Sequence, residues 1–185
     1  MAEPKSPQLR MLLGSLASLP PVSLPAGFEL KRFRPGDEQA WVDLLNSTLS
    51  LGEWDLRRAE ERMKGSVRVI ADGILFITEG GLPVATACLT HHDEMPEAEL
   101  GWVGVSPHVQ GKGLGREVCL AALHYIRDRG YGAVVLFTDD HRHPAIKTYL
   151  KLGFEPQMAH ESHAERWREV LDKLAWQTPP GPTAV

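Results

Sequence analysis

The sequence predicts an α/β (α+β) domain built on one mixed sheet with helices on both faces. Three observations carry that expectation. Segments that alternate apolar and polar residues dominate the first half of the chain, and a strand-helix-strand-helix alternation follows in the second. The composition, 43% hydrophobic and 24% charged over 185 residues, is that of an ordinary globular chain and excludes disorder as a class. Glycine is slightly over-represented at 17 residues, and three of these stand at alternate positions where a strand meets a helix.

Each element has its own signal. Residues 28–33 alternate as a half-buried strand, stopped by Pro35-Gly36-Asp37. Asp37 is placed to cap a helix whose Ala40, Trp41, Leu44 and Leu45 recur at helical spacing. A second helix is expected over 54–64, ending at Gly65. Strands follow at 73–78 and 84–90, joined by the hairpin turn Glu79-Gly80-Gly81-Leu82-Pro83. A polar loop, 91–97, precedes a strand over 98–105. Then come a long helix over 113–129, the turn Gly130-Tyr131-Gly132, a buried strand over 133–138, and a helix over 144–152 stopped by Gly153. The last helix, 161–174, carries Trp167, Val170, Leu171 and Leu174 on one stripe, which reads as the face that docks on the sheet.

Residues 26–176 are therefore read as one domain, preceded by a flexible leader (1–25) and followed by a disordered tail (177–185) that Pro179, Pro180 and Pro182 keep out of a helix. The apolar stretch 11–17 after Lys5 and Arg10 superficially resembles a signal segment, but Glu3, its shortness and the surrounding prolines favour a loose tail. No stretch approaches membrane-spanning length. A net charge of −4 is the wrong sign for counterion-releasing contact with nucleic acid. Cys88 and Cys119 lie in apolar runs without paired spacing, as buried thiols of a cytoplasmic protein, monomer or homodimer, would. Asp139, Asp140, His141 and His143 do not form a metal framework, so no metal is expected.

The chemistry concentrates between Val103 and Arg116. A strand ends at Pro107, Gly111, Gly113 and Gly115 follow, and an apolar helix begins at once. Free backbone N–H groups at the positive end of a helix form an anion cradle, and Lys112 and Arg116 beside it favour a diphosphate. The dinucleotide fingerprint fails because Arg116 stands where its third glycine belongs, and no triphosphatase phosphate loop is present. Gln-x-x-Gly-x-Gly does fit, as Gln110, Gly113 and Gly115. Downstream, Ala145, Tyr149, Gly153 and Phe154 fit A-x-x-x-Y-x-x-x-G-F. With both motifs in this order and separation, the sequence resembles the GNAT superfamily of acyl-CoA-dependent N-acetyltransferases over residues 98–156, and more loosely before that.

The resemblance implies a mostly antiparallel sheet with splayed central strands, acetyl-CoA as co-substrate and transfer of its acetyl group to a primary amine. The CoA diphosphate is then held by backbone amides of the turn containing Gln110, Gly111, Lys112, Gly113, Leu114, Gly115 and Arg116. The pantetheine lies along Val103, Gly104 and Val105, where a bulge offers a backbone amide of Val103 or Val105 to the oxyanion. Tyr149 occupies the position of the acid that protonates the departing thiolate. Arg142 stands where many members carry an Asn that contacts the cofactor, and is a candidate for that contact. Glu99 is the first choice of base, placed by alternation on the side of Gly101, Val103 and Val105. His91, His92 and Glu94 are alternatives. The acceptor, small molecule or peptide, is expected between 46–53, with Trp54, and Glu99, and the chain's acidity suits a cationic amine. The other class of function compatible with these motifs is a non-catalytic acetyl-CoA-binding sensor or scaffold.

Overall fold

The computed structural model describes residues 7–48 and 51–176. The element order is β1 (Leu9–Leu13), β2 (Phe28–Arg32), α1 (Glu38–Ser47), α2 (Leu56–Arg62), β3 (Val67–Glu79), β4 (Leu82–His92), β5 (Ala98–Val105), α3 (Leu114–Asp128), β6 (Val134–Thr138), α4 (His143–Lys151), β7 (Glu155–Gln157) and α5 (His163–Lys173). The strands form one open sheet in the order β2-β3-β4-β5-β6-β1-β7. Only β5 and β6 run parallel, and every other pairing is antiparallel.

Strict alternation along β3 sends neighbouring side chains to opposite sides, which gives the sheet two cores. Ile74 and Phe76 join Trp41, Leu45 and Ala59 under α1 and α2. Leu75 and Ile77 join Val118, Ala122 and Tyr125 of α3 on the other side. The hairpin turn between β3 and β4 is Gly80-Gly81, both at positive φ as a two-residue turn of this hand requires. Asp55 caps α2, its Oδ1 accepting from the Arg58 N–H at 2.7 Å. Trp167 is buried in the main core, so the stripe on α5 is a docking face. No helix among the described residues is long and apolar enough to cross a membrane.

The leader departs from expectation. Residues 9–13 are not flexible but form β1, inserted between β6 and β7. Leu9 and Met11 are fully buried and Leu13 nearly so. The rest of the leader is tied to α3, where Glu117 Oε2 accepts from the Ser23 N–H at 2.7 Å and the Pro20 carbonyl meets His124 Nε2 at 2.8 Å. Alternation at 9, 11 and 13 is too short a signal to stand out, and its partners lie more than a hundred residues away. Removing the Met11 side chain from this core, as Met11→Ala, is expected to cost roughly 2–5 kcal/mol of stability, measured by chemical denaturation. A loss below ~0.5 kcal/mol, the level of an ordinary surface substitution, would return the leader to the status of an appendage.

Two shorter differences matter for the site. β4 extends through His92, so the expected 91–97 loop shortens to 93–97 and His92 gains a place on the sheet. β7, only three residues long and directly after Phe154, escapes a periodicity argument. The expected tail, 177–185, lies outside the described residues.

Candidate active site

The site begins with a parting of strands. β5 and β6 pair only through Ala98 with Val134 and Glu99 with Val135, after which they diverge. The gap widens into a cleft of about 580 Å³ lined by β5, the glycine turn and the start of α4. Opposite the parting, β5 carries a bulge, with Trp102 and Val103 facing the single residue Ala87 of β4. Trp102 adopts φ +53°, a left-handed conformation rarely tolerated by a bulky residue.

The bulge reverses the faces of β5. Gly101 approaches Thr90, Trp102 joins the core under α1 and α2, and Gly104 lies against Thr48, whereas Val103 and Val105 pack toward α3. Glu99 and Val103 are therefore on opposite faces, contrary to simple alternation, because one extra residue inverts a period of two. The backbone is re-aimed as well. Ser106 N–H donates to Val84 of β4, so Val105 turns its own carbonyl away from β4, where Gln110 Nε2 donates to it at 3.3 Å. The Val103 carbonyl accepts from Arg142 Nη2 at 3.1 Å. Arg142 thus bridges the parted strands from the head of α4.

The glycine turn leaves its backbone amides free. Among the described residues, the N–H groups from Gly111 through Gly115 have no backbone or side-chain acceptor within the protein. Gly111 and Gly113 have φ near +80°, with open space where a Cβ would stand, and Gly113 opens α3. The turn therefore needs glycine for its backbone angle rather than for room. Gly113→Ala is expected to cost about 1–2 kcal/mol of strain in the turn and to weaken acetyl-CoA binding by at least as much, read by calorimetric titration. Unchanged affinity would remove this turn from the binding site. Arg116 lines the cleft and pairs with Glu117. Lys112 turns its side chain away, to Glu79 Oε1 at 3.8 Å and over the Phe28 ring at 5.0 Å.

Tyr149 enters the cleft from α4, buried to 4% exposure and packed edge-on against Phe154 at 6.1 Å. Burial pushes its hydroxyl well above the ordinary tyrosine pKa, with Cys119 acting in the same direction and Arg142 against it. The phenol is held protonated, as an acid must be.

Glu99 stands across the sheet from Thr90, with its carboxylate on His92 Nε2. Its side chain is 18% exposed, and burial pushes its pKa above the usual carboxylate range, while the His92 contact and the charge of Arg62 pull it back. The Thr90 hydroxyl beside it is buried without a protein partner among the described residues. Trp54 closes this end, edge-on to Trp102 at 4.6 Å, and Asn46 clamps the backbone of Trp54 in both directions at 2.8 and 3.0 Å. His91 turns to Tyr131 and Asp93. Residue spacing did not single out Thr48, Trp102 or Arg62, whose placement depends on the bulge and on the approach of α1 and α2 to β5.

Comparison with known proteins agrees with this fold. The acetyltransferase (GNAT) family model matches residues 39–154. The chain belongs to the GNAT family. A mycothiol acetyltransferase of Kytococcus sedentarius is 33% identical over 161 residues, covering 82% of this chain and 54% of the relative. One from Thermomonospora curvata is 36% identical over 141 residues, covering 74% and 47%. The chain spans about half the length of these curated relatives. A GCN5-related N-acetyltransferase from Sphaerobacter thermophilus superposes with a TM-score of 0.67 at 21% identity, over 82% of this chain and 50% of that one, a likeness of fold. The parted strands and the helix that carries Tyr149 both lie within the matched residues 39–154.

Proposed function

We propose that the protein transfers the acetyl group of acetyl-CoA to a primary amine by direct attack within a ternary complex. One observation carries this reading. Of the five residues whose amides lack acceptors at the head of α3, four (Gly111, Gly113, Leu114 and Gly115) line the same cleft that a buried, protonated tyrosine enters from α4. A sensor needs the first feature but not the second.

Acetyl-CoA supplies an activated thioester acetyl group. The amides of Gly111 to Gly115, with Arg116, hold its diphosphate, and the β5 edge at Val103, Gly104 and Val105 aligns its pantetheine. Arg142, already bonded to the Val103 carbonyl, fixes the width of that opening. An alkyl ammonium ion with a pKa near 10.4 is only about 0.1% neutral at pH 7, so a base is needed. Glu99 fills this role, its pKa raised by burial and its carboxylate oriented by His92. A backbone N–H at the bulge, Val103 or Val105, serves the oxyanion. Tyr149 returns a proton to the departing sulfur.

The test is calorimetric titration with acetyl-CoA followed by thiol release on a panel of amines. Because the relatives carry the name mycothiol acetyltransferase, a mycothiol-related amine belongs in that panel. Saturable CoA release with at least one acceptor supports the reading; tight binding with no release on any amine leaves the sensor.

A further inference from the structure

A second hollow, of about 420 Å³, opens along α2 beside the Glu99 end of the site. Its lining is Arg57, Arg58, Glu61, Arg62, Lys64 and Val67. The charges divide unequally. Arg57 is paired with Glu61 at 2.9 Å, and Arg58 lies over the Trp54 ring while donating to the Glu53 carbonyl. Arg62 and Lys64 have no carboxylate within ion-pair distance among the described residues. Arg62 connects the hollow with the chemistry, since its guanidinium stands 5.6 Å from the centre of the Trp102 ring and its charge acts on Glu99.

We propose that Arg62 and Lys64 bind an anionic group, carboxylate or phosphate, carried by the acyl acceptor itself, so that its amine is presented to Glu99 beside Trp102. The proposal rests on the acetyltransferase reading and names its substrate class: an amino acid or an amino-sugar phosphate rather than a polyamine. A chain with net charge −4 suggests a cationic acceptor, yet the local field at this hollow is positive, and a polycation would meet two uncompensated like charges. The planar guanidinium of Arg62 suits bidentate contact with either anion.

Matched acceptors test this in the full chain: serine against serinamide for the carboxylate, and glucosamine 6-phosphate against glucosamine for the phosphate. The readout is the ratio of kcat/KM within a pair, and how that ratio changes in Arg62→Gln and Lys64→Gln. Amine basicity differs within a pair but is the same for every enzyme, and any effect of Arg62 on Glu99 acts on both members. In at least one pair the anionic member's ratio is expected to fall about tenfold in Arg62→Gln, to fall in part in Lys64→Gln, and to shrink in the parent as salt is raised. The pair that responds identifies the anion. Both side chains are exposed, so neither change threatens the fold. Turnover with ratios unchanged in both variants overturns the anion site and leaves the acetyltransferase standing. No CoA release from any acceptor overturns both.

Discussion

Tyr149→Phe is expected to lower kcat about 10²-fold, equivalent to about 2.7 kcal/mol of transition-state stabilisation, while acetyl-CoA affinity stays within about twofold. The ring keeps its edge-on packing against Phe154, so the variant loses only the hydroxyl. Among the described residues no protein group hydrogen-bonds that hydroxyl, and Tyr149 lines the cleft, so deleting the hydroxyl leaves no protein donor or acceptor stranded. Stability should therefore hold, and thermal melting of parent and variant should coincide. Steady-state kinetics paired with calorimetric titration separates the outcomes. Equal turnover in the variant would reduce Tyr149 to a packing residue.

Glu99→Gln carries the other large effect. At neutral pH, kcat/KM for the acceptor is expected to fall about 10²-fold, the size of a general-base contribution. Its pH profile is the more specific readout. In the parent, kcat/KM should decline as pH falls through the pKa of Glu99, which burial lifts above the ordinary value near 4.3. In the variant that acid limb should lose the contribution of Glu99 and keep only the slope from protonation of the amine itself. Stability follows the opposite sign from a salt-bridged carboxylate. A carboxyl whose folded pKa is raised costs stability once the pH exceeds its unfolded pKa, and the cost is absent below that value. Glu99→Gln removes the cost, so its melting temperature at pH 7 should equal or exceed the parent's. An intact acid limb in the variant would pass the base role to another group, with His92 the first to test.

The features readable without a structure were those determined by adjacent residues. Gly111, Gly113 and Gly115 specify a turn with bare amides because backbone angle is a local property, and the spacing from Ala145 through Tyr149 to Gly153 places the phenol one turn before a helix end. The Gly80-Gly81 hairpin is of the same kind. Glu99 was legible as a residue but not as an arrangement. Nothing in the alternation of 98–105 announces an extra residue at Trp102, and without it Glu99 is assigned to the side of Val103. His92, named only as an alternative base, owes its contact with Glu99 to the extension of β4.

From the sequence alone came the fold class, the glycine turn at the head of α3 and the tyrosine on the helix before Gly153, because these depend on periodicity and on φ over a few successive positions. The tertiary structure decided what lies between distant segments. It seated Leu9–Leu13 in the sheet between β6 and β7, swung Lys112 out to Glu79 and Arg142 across to Val103, and gathered uncompensated positive charge beside Glu99 in a chain whose total charge is negative. Net charge and periodicity are sums and averages along the chain. A binding site is set by the few charges and backbone groups that folding brings within contact distance.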